Sequence, residues 1–157
     1  MNMTYVLYAH NILRWGVLLF GLWTVLNALT GVLAKRRYNN NDNRSNLLFM
    51  VFCDIQLLIG LVLYFNGAWF TMIKTDAKEV MKDSAMRFFA VEHILMMVIA
   101  WLLVHVGRSM VKRSNNDAKK HKKMLVYFGL AFIIILAMIP WPFRSPGIGR
   151  ALFPQFN

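Results

Sequence analysis

The sequence predicts an all-α membrane protein: a polytopic four-helix bundle, a single transmembrane domain over residues 1–157 with both termini outside. Three observations predict it. Apolar residues make up 58% of the chain and its mean hydropathy is +0.46. They arrive in four long blocks rather than at amphipathic spacing. The charged residues, 16% of the chain, fall mostly between those blocks. A helix needs about 20 apolar residues to cross a hydrocarbon core. A soluble domain of this length distributes its apolar residues periodically instead.

The first helix is expected at about 5–34, stopped by Lys35-Arg36-Arg37. With no basic region and no cleavage site ahead of a short apolar core, it reads as a retained helix rather than a signal peptide. Asn39 to Asn43, with Asp42 among them, reads as a polar turn. The second helix is expected at 47–65, ended by Asn66-Gly67. Residues 68–84 interleave Trp69, Phe70, Met72, Ile73, Val80 and Met81 with Lys74, Asp76, Lys78, Glu79, Lys82 and Asp83, as an interfacial segment does. The third helix is expected at 85–107. Arg108 to Lys123 then holds seven basic residues and one acid, Asp117. The fourth helix, 124–139, is short for a span and ends where Pro140-Trp141-Pro142 breaks the hydrogen-bond ladder. The tail, 140–157, carries Trp141, Phe143, Phe153 and Phe156 and suits the headgroup layer. The chain shows no internal repeat.

Charge sets the expected orientation. The loops after helices one and three hold eleven Lys and Arg; the other end holds six, partly offset by Asp76, Glu79 and Asp83. The positive-inside rule places the basic loops in the cytoplasm. The net charge of +11 therefore reads as a membrane-edge pattern and not as a nucleic-acid surface, because the basic residues flank apolar segments. Cys53 stands alone inside an apolar block, where a small core residue is the plain reading. No zinc spacing, nucleophile triad or Walker-type loop is present, and Gly147-Ile148-Gly149 is too slight for a phosphate loop.

Polar residues within a span need a partner or a role. An outer group comprises His10, Asn11 and Arg14 on helix one and Arg87, Glu92 and His93 on helix three. Two histidines facing each other across a bundle can bind one haem iron axially. Arg14 or Arg87 would then neutralise a haem propionate, and Glu92 is an alternative partner for Arg14. A buried polar cluster tying two helices together explains the same residues equally well. An inner group comprises Asn27, Asp54 and Gln56, placed at similar depth. It reads as an interhelical hydrogen bond or, more sharply, as a proton path or quinone contact. His105 and His121 sit near the basic end. A second haem there is disfavoured, because His93 and His105 are twelve residues and so about 120° apart, and Lys119-Lys120-His121-Lys122-Lys123 reads as a solvated loop. Met96 and Met97, near His93, read as core packing.

These residues resemble a family of small bacterial four-helix membrane proteins labelled cytochrome b-like. The resemblance is carried by His10-Asn11 with Arg14-Trp15, by Asp54, Gln56 and Gly60, and by Val80-Met81-Lys82-Asp83-Ser84 leading to Arg87, Glu92 and His93. It continues through Ala118-Lys119 with His121-Lys122 and through Ile139-Pro140-Trp141-Pro142-Phe143-Arg144, so that it spans nearly the whole chain. It implies a haem b protein of the bacterial cytoplasmic membrane, carrying electrons near the outer face, with His10 and His93 as the positions for iron ligands. Two-haem cytochromes b carry paired histidines on two helices; here only helix three holds two within its span, which puts a two-haem path in doubt.

Three functions stand at this point. The first is electron transfer through one haem b, exchanging with a quinol or a periplasmic carrier. The second is a non-catalytic subunit or assembly protein of a respiratory or other membrane complex, without cofactor. The third, a small transporter using Asp54 and Glu92, lacks the inverted repeats and broken helices that mark many transporters. An electron carrier or accessory subunit fits better than a stand-alone enzyme.

Overall fold

A computed structural model describes residues 3–154. The elements are α1 (Met3–Leu33), α2 (Asn40–Asn66), α3 (Ala68–Thr75), α4 (Ala77–Lys82), α5 (Ser84–Lys112) and α6 (Asp117–Met138). No strand occurs among the described residues. Four helices (α1, α2, α5 and α6) are long and apolar enough to cross a membrane. The chain thus has the make-up of a multi-pass membrane protein. Phe156 of the expected aromatic tail lies outside the described residues.

Three helix ends at the basic end of the bundle differ from expectation. α2 begins at Asn40 rather than 47, so the asparagine run is not a turn. Asn39 caps it: its side chain accepts from the backbone N–H groups of Asn41 (2.8 Å) and Asp42 (3.3 Å), and Asp42 accepts in return from the Asn39 N–H (2.9 Å). That reciprocal pair satisfies donors that a helix start leaves open. α6 begins at Asp117 rather than 124, with Asn116 accepting from the Lys119 N–H at 2.9 Å. Its 22 residues correct the short fourth span. α5 runs to Lys112 rather than 107, leaving only residues 113–116 as loop. Residues 68–82 of the expected interfacial segment form the short helices α3 and α4, with Asp76 capping α4 and Asp83 capping α5.

α1 packs against α2 and α6; α5 packs against α6 and more loosely against α2. α1 and α5 are therefore the diagonal pair. The core is dense toward the basic end, where Ala28, Phe49, Val104, Met124 and Phe128 are wholly buried. Gly31 makes room there for the ring of His121: a Cβ on Gly31 would overlap it. Large apolar side chains point outward on every long helix; Leu19, Leu58, Leu95 and Ile133 are 55–64% exposed. Each would forfeit about 2 kcal/mol in water, whereas lipid tails receive it without penalty.

A polar cluster closes the basic end. Arg36 donates twice to Asp42, at 2.5 and 2.7 Å, and once to the Asn27 carbonyl at 2.9 Å. Donating to Asp42 raises the Arg36 guanidinium above its ordinary value and holds it charged. Asn46 donates to the Tyr38 hydroxyl at 2.8 Å and to the Asp42 carbonyl at 2.7 Å, and accepts from Arg108. Burial pushes the Tyr38 phenol up.

Candidate functional site

The other half of the bundle holds a cavity of about 790 Å³, bordered by α1, α2, α3, α5, α6 and the tail. That is within the range of pockets that take a cofactor-sized ligand. Its walls are mostly apolar; the polar side chains that reach it include His10, Asn11, Arg14, Gln56, His93 and Arg150. It extends from the N-terminal end of α1 to near mid-bundle, at Val17, Cys53 and Ala100.

His93 enters from α5 directly after a single wide turn, Phe88–Glu92, with π-helical bonding. Such turns recur at functional sites. The Tyr64 hydroxyl donates to the Ala90 carbonyl within that turn at 2.9 Å. The His93 Nδ1 atom lies 2.9 Å from the Met138 carbonyl oxygen. The sequence explains why that oxygen is free. In a continuing helix it would accept from residue 142, but Pro142 has no N–H. The Leu136 carbonyl is likewise deprived by Pro140 and accepts instead from the Trp141 indole at 2.9 Å. The Arg144 guanidinium takes the Ala137 carbonyl at 2.9 Å. A carbonyl can only accept, so His93 Nδ1 carries a hydrogen, and in the neutral ring Nε2 then carries the lone pair.

His10 faces the cavity from α1, against Gly60 of α2. A Cβ on Gly60 would stand 3.2 Å from the His10 ring. The His10 Nδ1 atom is buried with no hydrogen-bond partner. Gln56 donates to the His10 backbone carbonyl at 3.0 Å, tying α2 to α1 at this level. Arg14 is 6% exposed and donates to the Leu152 carbonyl at 2.7 Å; its Nε has no partner. Trp15 donates to the same carbonyl at 3.3 Å, and its ring stacks on Phe153 at 5.3 Å. The tail is thereby fastened to α1 beside the cavity that it helps to line.

His10, Arg14 and His93, expected together, all border this one cavity. Gln56 joins them; it belongs with His10 and not with Asn27 or Asp54. Arg87 is placed otherwise than as a cavity cation: it pairs with Glu92 at 2.7 Å and donates to the Met81 carbonyl at 2.9 Å. Glu92 thus partners Arg87 rather than Arg14. Asn27, Asp54 and Gln56 do not form one inner group. Asn27 bonds Ser45 at 3.2 Å in the polar cluster, while Asp54 accepts from Trp101 at 2.6 Å on α5. The error in depth came from the missed start of α2: Asp54 lies fourteen residues in, about 21 Å along the helix. His121 is wholly buried against Gly31 and Tyr38 and not in a solvated loop. His105 contacts Trp101 and Asp54, so the two histidines have different surroundings. Met97 borders the cavity and Met96 does not.

Arg150 and Trp101 also border the cavity and had no signal as site residues. Arg150 comes from irregular tail, where spacing says nothing. Trp101 lies one turn from His105, a spacing that links them only once His105 is noticed. Among the described residues, no three His, Cys, Asp or Glu side chains converge as a metal site would require. No protein-family model, no curated protein and no solved structure matches the chain.

Proposed function

We propose that this protein binds one haem b in the cavity between α1 and α5 and carries electrons in a bacterial cytoplasmic membrane. The observation that carries the reading is the pairing of two imidazoles from diagonal helices on one cofactor-sized cavity, with His93 held in the tautomer that leaves Nε2 free to ligate. His10, with a buried, unpartnered ring nitrogen, would be the second residue to hold the haem. Arg14 and Arg150 border the cavity and would supply positive charge for haem propionates, while Arg87 is already neutralised by Glu92. When bound, the haem supplies a one-electron couple; the chain's own part is to ligate, to exclude water and to compensate charge. The positive-inside pattern supports a cavity at the outer face.

The test is an absorption spectrum of detergent-solubilised protein produced with haem supplied. A reduced-minus-oxidised difference with sharp Soret and alpha bands is expected, and it should vanish in His93→Ala and in His10→Ala. A colourless wild type overturns the reading. The cofactor-free accessory subunit would then stand, supported by Phe143 (83% exposed) and Phe153 (63% exposed) on the tail. Co-purification with a larger membrane complex would be its positive sign.

A further inference from the structure

The seam between α2 and α5 holds a second polar group that the cavity does not use. The Asp54 Oδ1 atom accepts from the Trp101 indole at 2.6 Å and lies 3.3 Å from His105 Nε2. His105 Nδ1 lies 3.0 Å from the Trp101 carbonyl, one turn back on its own helix. That carbonyl can only accept, so Nδ1 carries a hydrogen. In a neutral imidazole Nε2 would then be a bare lone pair, facing an oxygen that, if ionised, is also a bare lone pair.

The surroundings do not relieve this conflict. On α5 the nearest cation along the chain is Arg108, which donates to the Asn43 carbonyl and the Asn46 carboxamide. On α2, Cys53 is the adjoining titratable group and is buried. On α6, Lys123 donates to the Met110 carbonyl and His121 packs on Gly31. On α1, Arg14 is engaged by the tail, and in the connection after it Arg36 is engaged by Asp42. The Asp54 and His105 side chains are also 35% and 33% uncovered by the chain. Both lie inside helices long and apolar enough to span. A bare carboxylate at such a site would meet hydrocarbon, where ionised side chains are costly and commonly mark proton relays.

We infer that Asp54 and His105 hold one proton between them, beyond the hydrogen on Nδ1, and form a proton site within the membrane. The proton sits on Nε2, giving an imidazolium–carboxylate pair, or on Asp54, giving a carboxylic acid that donates to Nε2. Either placement turns a repulsive contact into a hydrogen bond and leaves the pair neutral overall. Trp101 connects the site to the cavity, because it borders the cavity while its indole N–H donates to Asp54. A proton held one side chain away from the cavity is placed to offset charge that arrives there.

The test uses wild-type protein in lipid nanodiscs at pH 7, with nitrogen-15 histidine and carbon-13 aspartate labels. Magnetic resonance reads the two ring nitrogens of His105 and the carboxyl of Asp54. The expected result is either a doubly protonated His105 beside an ionised Asp54, or a singly protonated His105 beside a protonated Asp54. A singly protonated His105 beside an ionised Asp54 overturns the inference. In Asp54→Asn, where no carboxylate remains to share the proton, His105 should carry the Nδ1 hydrogen alone; a doubly protonated His105 would also overturn it. The wild-type measurement decides the matter if the variant fails to fold. It needs no cofactor, so its failure and that of the haem reading are separate outcomes.

Discussion

His93 shows how a single missing N–H shapes a site. Pro142 cannot donate, the Met138 carbonyl stays open, and an imidazole 45 residues away fills it. Both partners are in the sequence, but their meeting depends on how α6 packs on α5, which local spacing does not encode. His121 makes the converse point. Its position among four lysines reads as solvated, yet it is wholly buried with both ring nitrogens unpartnered. A buried polar group without a partner lowers stability, so an apolar residue of similar volume should be tolerated. His121→Met should therefore melt within about 1 kcal/mol of wild type, or above it. Gly31→Ala, by contrast, drives a methyl into a ring that has nowhere to move. It should cost about 1–3 kcal/mol. Thermal unfolding in detergent, followed by loss of the monodisperse species, ranks the two. A destabilised His121→Met beside an unaffected Gly31→Ala would reverse the assignment.

At the scale of elements, the four long helices were legible because each carries a long, mostly apolar block. Their starts at the basic end were not. Asn40 to Asn46 and Asp117 to Lys123 are polar, and hydropathy ends a helix where the apolar run ends. The legible sign was chemical: Asn39 and Asp42 stand three apart, the spacing of a reciprocal cap. The same Asp42 is 0% exposed and owes its charge balance to Arg36, whose side chain is 28% exposed. Arg36→Ala would strand a buried carboxylate and should cost about 3 kcal/mol. Arg36→Ala with Asp42→Asn should recover most of it, because a neutral amide can still cap α2. Equal losses in the single and double variants would show that the pair contributes little and that the cap dominates.

For the whole molecule, the two ends of the bundle differ in kind. One end is tightly packed and closed by the Arg36–Asp42–Asn46–Arg108 cluster. The other opens into a cavity, under a tail pinned by Arg14 and Trp15. The basic loops fall at the packed end, with eleven Lys and Arg against six at the other. Lys and Arg near span ends resist translocation, so the packed end should face the cytoplasm and the cavity the outside. Single cysteines introduced by Asn115→Cys and Thr71→Cys separate the alternatives. Cys53 is 7% exposed and should not react in either background. In intact cells, a membrane-impermeant maleimide should label the Thr71→Cys protein and leave the Asn115→Cys protein unlabelled until the membrane is opened. The opposite pattern would invert the bundle and place the cavity on the cytoplasmic side. Any electron exchange through it would then be with a cytoplasmic partner, even if His10 and His93 hold haem as proposed.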